Sequence, residues 1–115
     1  MLESEKIEIE DNFTGLRKGL LEFAVLSTIS NSKVYVADVL GRLSKTPFAT
    51  SEGTLYPLLS RLKREAYVTY EWAESEMGPP RKYYSLTSQG KTRLRQLHEY
   101  WHELYKSLEL LGGKQ

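Results

Sequence analysis

The sequence predicts a mainly helical α+β fold: three helices, a small β-hairpin and a long final helix. Three observations lead to this fold class. Apolar residues recur at helical spacing in four separate segments. Two short segments alternate between apolar and polar residues, as half-buried strands do, and a stretch containing Gly and Pro separates them. With 115 residues, 40% of them hydrophobic, the chain can build one small core.

Composition excludes several classes of protein. The chain has no cysteine, which rules out disulfides, thiol catalysis and cysteine-based zinc sites and fits a reducing compartment. The apolar stretch at residues 20–26 is far too short to span a membrane and contains Glu22. The acidic first residues are also unlike a secretory signal. We therefore expect a cytoplasmic protein without a membrane partner.

Charge is distributed unevenly along the chain. The formal net charge is +1, but residues 1–12 alone carry −4, so the remaining residues carry +5. An acidic tail followed by a moderately basic body suits a polyanionic partner such as nucleic acid.

The first two helices are predicted from apolar spacing. Residues 16–30 place apolar side chains nearly all around a helix, which predicts that this helix lies at the centre of the core. The polar residues 31–33 end it, and residues 34–45 form a second, amphipathic helix. The apolar stripe of the second helix consists of Tyr35, Val36, Val39, Leu40 and Leu43.

The third helix is predicted to have two contrasting faces. Thr50 or Ser51 can cap its start by accepting a hydrogen bond from a backbone N–H group. An apolar stripe faces the core, and a face of small and basic residues lies opposite. The stripe consists of Leu55, Leu58, Leu59, Leu62 and Ala66, and the opposite face groups Gly53, Pro57, Ser60, Arg61 and Arg64.

The outward face of the third helix fits a DNA major groove. Gly53 and Pro57 give it a low profile, so the backbone can approach phosphates and base edges. Lys63 lies toward the flank and is expected to contact phosphate. The alternative is an ordinary solvated face, since Pro57 near a helix N-terminus removes few internal hydrogen bonds. The predicted hydrogen-bond donors are Thr54, Tyr56, Ser60, Arg61 and Arg64.

The hairpin is predicted from alternation in residues 68–72 and 82–86, with residues 75–80 as its loop. Arg81 and Lys82 directly follow two prolines that stiffen the loop. We expect them to form a rigid basic tip suited to the DNA backbone or minor groove. The alternative is an ordinary charged hairpin, which Glu74 and Glu76 favour.

The final helix begins after a cap at Thr87 or Ser88 and ends at Gly112 and Gly113. Its apolar residues follow a heptad spacing that could pack against the domain itself or against a second copy of the chain. At a symmetry axis Trp101 would meet its twin, where it could pack an interface or hold a flat aromatic molecule. The heptad seam consists of Leu94, Leu97, Trp101, Leu104, Leu108 and Leu111.

The chain contains one literal match to a metalloprotease pattern, H-E-x-x-H, at residues 98–102. His98 and His102 are the only histidines in the chain, and the match lies within the heptad helix. We interpret both as partly exposed helix-flank residues rather than zinc ligands. Since no nucleophilic triad and no complete P-loop can be recognised either, we predict no catalytic residue, metal or cofactor.

Three helices, a hairpin and a further helix, with the third helix basic, form the order of a winged helix-turn-helix. Two motifs add specificity. G-T-L-Y-P-L-L-S-R-L at 53–62 resembles the recognition-helix signature of the PadR family of bacterial transcriptional regulators. R-K-Y-Y-S-L-T-S-Q-G at 81–90 resembles that family's wing strand and the start of its last helix. The chain departs from the family pattern at Val34 and Ala66, where glycine is common.

The resemblance implies a homodimeric repressor that binds a palindromic operator in double-stranded DNA and is released by a small aromatic effector, with Trp101 as the candidate effector residue. Together with the charge distribution, the resemblance predicts an acidic tail (1–12), a winged domain (13–86), a dimerisation helix (87–111) and a C-terminal tail (112–115). A winged helix that binds an acidic protein instead of DNA is the alternative. The implied DNA-contacting residues are Gly53, Thr54, Tyr56, Pro57, Ser60, Arg61, Arg64, Arg81 and Lys82.

Overall fold

The computed structural model describes residues 12–30 and 32–113, so the predicted acidic tail falls outside the described residues except at its last position. The order of elements is the predicted one. The elements are α1 (Thr14–Ile29), α2 (Val36–Leu43), α3 (Glu52–Arg64), β1 (Val68–Ser75), β2 (Gly78–Leu86) and α4 (Ser88–Leu111).

The core lies where α1, α2 and α3 meet the base of the hairpin. From α3 it takes Leu55, Leu59 and Leu62, which are almost completely buried, while Leu58 is only half-buried. The predicted stripe is therefore confirmed for its leucines but was wrong for Ala66, which is exposed and lies beyond the end of α3. Because the stripe fixes the rotation of α3, it also decides which side chains of this helix face outward.

Helix α1 differs from its prediction. Only its C-terminal half enters the core, through Val25, Leu26 and Ile29, while Leu16 is 60% exposed. The expectation that the whole helix is central was wrong, because a single copy of this small domain has too few elements to cover all sides of α1. Its N-terminal half presents apolar surface.

Helix α2 begins two residues later than the predicted segment 34–45 and ends at Leu43. Val34 is not helical: its N–H donates to the Tyr84 carbonyl at 3.0 Å and its carbonyl accepts from the Tyr84 N–H at 2.7 Å, which adds a short bridge to the hairpin. Tyr35 is the N-cap residue, and its N–H donates to the Asp38 carboxylate at 3.3 Å. Backbone pairing with β2 thus outweighs helix formation at this point.

Helix α3 begins at the N-cap Ser51, whose hydroxyl accepts from the Thr54 N–H at 3.3 Å, and it ends sharply. Ala66 has φ 66°, a left-handed conformation that glycine adopts more readily. The Tyr67 N–H donates to the Leu62 carbonyl and the Ala66 N–H to that of Lys63, the two bonds of a Schellman motif. Alanine in place of glycine therefore leaves the chain reversal intact.

The hairpin is longer than predicted. Its strands pair antiparallel from Val68 opposite Leu86 to Ala73 opposite Arg81, with an irregularity before Ser75 pairs with Gly78. The turn is therefore confined to residues 76–77, and the prolines expected in the loop belong to β2. The loop prediction was wrong because both prolines lie at the register irregularity of β2, where neither is paired with a residue of β1.

Helix α4 is capped by the Thr87 hydroxyl, which accepts from the Gly90 N–H at 2.9 Å, and has Gly112 as its C-cap. Gly90 is required by packing, since a Cβ there would stand 1.9 Å from the Tyr67 carbonyl oxygen. This close approach anchors the start of α4 beside the end of α3. Among the described residues no helix is long and apolar enough to cross a membrane.

Candidate nucleic-acid interface

The outward face of α3 is open to solvent. Gly53 needs neither a positive φ nor close packing, since a Cβ at that position would meet only the Ser51 hydroxyl at 3.7 Å. Nothing within the described domain explains a glycine there, whereas close approach to an external partner does. The exposed residues of this face are Gly53, Thr54, Tyr56, Pro57, Ser60, Lys63 and Arg64.

Arg61 stands apart from this exposed set. Its guanidinium donates to the Glu22 carboxylate on α1 at 3.0 Å and to the Glu65 carboxylate at 3.0 Å. Arg93 of α4 donates to the second oxygen of Glu22 at 2.9 Å. The structure therefore places Arg61 on the flank of α3 that faces α1, where it links three helices through Glu22.

Glu22 is the centre of this ion-pair network, and only 15% of its side chain is exposed. Burial alone would raise its pKa, but the hydrogen bonds and charges of Arg93 and Arg61 outweigh burial and lower the pKa below its ordinary value. The hydrogen bond to Glu65, followed by that to Glu22, raises the pKa of Arg61, and the hydrogen bond to Glu22 raises the pKa of Arg93. The carboxylate therefore stays ionised at neutral pH and balances charge that the basic face would otherwise have.

The opposite flank of α3 faces the hairpin. Cations from both the helix and the hairpin contact aromatic rings there. The Lys63 ammonium lies 5.2 Å from the Tyr70 ring centroid, and that of Lys82 lies 4.4 Å from the same centroid and 5.4 Å from that of Trp72. A cleft of about 380 Å³ separates α3 from the hairpin here. Burial, together with the neighbouring Tyr56 and Tyr70, raises the pKa of Tyr84 on the same cleft, which keeps its hydroxyl uncharged.

Arg81 and Lys82 were predicted to form the tip of the hairpin, but they do not lie there. They lie part-way along β2, and the turn consists of Glu76 and Met77. The Arg81 guanidinium stacks 4.7 Å from the Tyr35 ring centroid, beside the start of α2. The two basic residues therefore leave the hairpin on different sides, with Lys82 toward α3 and Arg81 toward α2.

Four cations of α3 and the hairpin form no salt bridge with the described carboxylates. None of the salt bridges within residues 12–30 and 32–113 involves Lys63, Arg64, Arg81 or Lys82. The exposed helix face and the facing side of the hairpin thus form one basic surface, in which Lys63, Arg64, Lys82 and the Ser60 hydroxyl group line one cleft. Such a surface can donate hydrogen bonds and neutralise phosphates.

The heptad seam of α4 divides into two parts. Leu94 and Leu97 pack partly against the core of their own domain. The remaining seam residues are exposed: Trp101 by 40%, Leu104 by 41% and Leu108 by 66%. Leu111, at the end of the seam, is exposed too. The second half of α4 therefore extends beyond the domain with an apolar stripe that the described residues leave uncovered.

A largely apolar cavity of about 390 Å³ lies between α1, the residues after α2 and α4. Phe23, Phe48 and Trp101 line it, and the His98 ring packs edge-on against Phe23 with centroids 4.7 Å apart. The residues that the structure describes contain no group of three or more His, Cys, Asp or Glu residues that could hold a metal. His98 is thus an aromatic neighbour of this cavity.

Tyr70, Trp72 and Glu22 are part of this arrangement, but they were absent from the predicted site. The alternation of β1 placed Tyr70 and Trp72 on one face of a strand, which was the available signal. It could not reveal that Lys63 and Lys82 would lie against those rings. No local pattern pairs Glu22 with Arg61, since the two are 39 positions apart.

Three helices followed by a two-stranded hairpin, with an exposed basic third helix next to that hairpin, define a winged helix-turn-helix domain of the DNA-binding class. Comparison with known proteins agrees. The family model for PadR-like transcriptional regulators matches residues 25–96. The chain belongs to this family.

Several solved structures are similar to the chain. A PadR-like transcription factor from Bacteroides fragilis is 39% identical, with a TM-score of 0.75, over 88% of this chain and 98% of that one. A PadR family regulator from Eggerthella lenta is 28% identical, with a TM-score of 0.81, over 96% of each chain. A PadR-like regulator from Bacillus cereus is 33% identical, with a TM-score of 0.75, over 85% of this chain and 96% of that one. The chain is thus a transcriptional regulator and not an enzyme.

Proposed function

We propose that this chain acts in the cytoplasm as a homodimeric repressor that binds a palindromic DNA operator and leaves it when a small aromatic effector binds. The observation that carries the DNA-binding part is the exposed basic surface of α3 and the hairpin. Its cations have no carboxylate partner among the described residues, and Gly53 has no structural reason to be glycine. Residues 13–86 would form the DNA-binding domain and residues 87–111 the dimerisation helix.

In this proposal α3 enters the major groove. Gly53, Thr54 and Pro57 would lie closest to the DNA, with Ser60 and Arg64 reaching base edges and phosphates. Tyr56, Lys63 and Lys82 would follow the DNA backbone on the hairpin side. Arg61, which the family resemblance assigns to base contact, would instead position the helix, because its guanidinium already binds two carboxylates.

The dimer is supported by two uncovered apolar surfaces. The second half of α4 exposes Trp101, Leu104 and Leu108. At the start of α1, the N-cap residue Phe13 and the helical residue Leu16 are exposed. Contiguous apolar surface of this kind is typical of protein interfaces. A second copy that covers both would complete the packing that α1 lacks in the monomer.

The effector would bind in the apolar cavity beside Trp101. Its volume of about 390 Å³ is in the range of small-molecule sites, and its aromatic lining suits a flat aromatic compound. Trp101 belongs both to this cavity and to the exposed seam, so a ligand there could change how two copies pack. That would alter the spacing of the two α3 helices on DNA.

The test is selection of bound fragments from the source genome, followed by footprinting. We expect one enriched palindrome whose half-sites lie about 34 Å, or one helical turn, apart. Arg64→Gln should weaken binding about tenfold or more, whereas Lys106→Gln, a matched change on the exposed side of α4, should not. No enriched sequence, or equal affinity for any duplex, would contradict the proposal and favour a protein-binding winged helix.

The effector is tested by fluorescence titration with planar aromatic compounds. Quenching should weaken in a Trp101→Leu variant that keeps Trp72, and the same compounds should release operator DNA from the native protein. Equal quenching in both proteins would remove Trp101 from the proposed site.

A further inference from the structure

Tyr70 occupies a particular position between the two DNA-facing elements. It lies on β1, half-buried against the core, and its ring is approached by two ammonium groups. Lys63 comes from α3 at 5.2 Å and Lys82 from β2 at 4.4 Å. One aromatic ring thus contacts a cation from the recognition helix and a cation from the wing.

Both lysines border the cleft between α3 and the hairpin, together with Ser60 and Arg64. Among the described residues, no carboxylate lines this cleft of about 380 Å³. Three cationic side chains and a hydroxyl group around one opening match the chemistry of a phosphodiester group, which accepts hydrogen bonds and carries negative charge.

The face of an aromatic ring holds a cation differently from a carboxylate. The ring quadrupole attracts the ammonium group and limits the motion of the flexible lysine stem, but it does not neutralise the charge. A carboxylate at position 70 would hold the same lysines and cancel their attraction for phosphate. Tyr70 therefore suits the task of orienting two lysines that remain available to an anion.

We propose that Tyr70 is a positioning residue for DNA binding: its ring holds Lys63 and Lys82 at the mouth of one cleft, so that the recognition helix and the wing bind the same stretch of phosphodiester backbone. This inference rests on the proposed DNA-binding function. In this proposal the ring of Tyr70 sets the position of the wing relative to α3, a role that neither lysine can fill alone.

The test compares Tyr70→Leu with Tyr70→Phe in the full chain. Tyr70→Phe keeps the ring and should bind operator DNA like the native protein. Tyr70→Leu keeps apolar packing but loses the ring, and should bind about three- to tenfold more weakly at low salt. Equal loss in both variants, or no loss in either, would overturn the proposal.

A double-mutant cycle separates positioning from a merely structural role. Tyr70→Leu should cost little when Lys63→Gln and Lys82→Gln are already present, because no ammonium remains to be positioned. A structural role would cost the same affinity in either background, which would overturn the proposal. Each lysine change should also reduce the slope of log affinity against log salt by about one.

The ring contacts are also tested in the native protein, so that this result does not depend on whether a variant folds. In the native protein the side-chain methylene protons of Lys63 and Lys82 should show ring-current shifts in NMR spectra, which change when operator DNA binds. Unshifted resonances would overturn the proposed ring contacts. Wild-type protein that binds no duplex would refute the proposed function itself, whereas wild-type binding with an unaffected Tyr70→Leu variant would refute only the role of Tyr70.

Discussion

The two flanks of α3 hold their cations in opposite ways. On the side of α1, Arg61 is bound by the carboxylates of Glu22 and Glu65. On the side of the hairpin, Lys63 lies against the ring of Tyr70. One flank therefore uses positive charge to join helices, while the other keeps it for a partner.

This difference matters because sequence position alone would treat the two residues alike. A guanidinium that already donates to two carboxylates gains little from a phosphate, since the new contact must replace existing ones. An ammonium group over a ring can be neutralised by phosphate without losing a counter-ion. The Glu22 network thus divides the basic residues of α3 into structural and DNA-facing members.

The largest expected effect is on the free energy of unfolding, when Arg61 or Lys63 is replaced by methionine in separate variants. Arg61→Met leaves Glu22 with a single arginine and should lower the free energy of unfolding by about 1–2 kcal/mol. Lys63→Met should change it by no more than about 0.5 kcal/mol. Thermal or urea unfolding at one fixed protein concentration measures both.

The same pair is then tested on operator DNA. Lys63→Met should reduce the salt slope of binding by about one, and Arg61→Met should leave that slope unchanged. Reversal of the pattern, with Arg61 setting the salt slope and Lys63 the stability, would show that the two flanks do not differ as described.

A smaller effect is expected from acid. The folded state lowers the pKa of Glu22, so it holds fewer protons than the unfolded chain and its stability rises with pH through that range. The contribution is complete above the ordinary pKa of a glutamate and is lost as pH falls through the lowered value. The stability difference between wild type and Glu22→Gln, measured from about pH 6 to about pH 3, should therefore shrink. A difference that stays constant would mean that folding does not lower the pKa of Glu22.

The sequence could predict only those parts of this arrangement whose interacting residues are close together along the chain. The leucine stripe of α3 and the cap at Ser51 depend on neighbours within a few turns, so periodicity predicted both. The link from Glu22 to Arg93 spans 71 positions, and no local pattern encodes it. The helical wheel therefore assigned Arg61 to the outward face, because the wheel omits long-range partners.

The prediction that all of α1 lies in the core was based on its apolar content, and it was wrong for a related reason. Periodicity reports that a face will be covered but not what covers it. Leu26 is covered by the chain's own core, whereas Leu16 is exposed in the described domain. A sequence pattern cannot distinguish a core position from an interface position, since both bury apolar surface.

The smallest predicted effect on stability concerns the face between the two flanks, where Gly53 exposes the helix backbone. Gly53→Ala should raise the free energy of unfolding by about 0.5 kcal/mol, because alanine favours the helix and its Cβ meets only the Ser51 hydroxyl at 3.7 Å. It should nevertheless weaken operator binding about tenfold, since that methyl group would occupy space needed for close approach to DNA. Gly41→Ala in α2 is the matched control: its Cβ would meet nothing within 4 Å, so it should stabilise the fold without changing DNA affinity. If both variants gain stability and both bind DNA normally, Gly53 does not lie against the groove and the interface must be centred on one of the flanks.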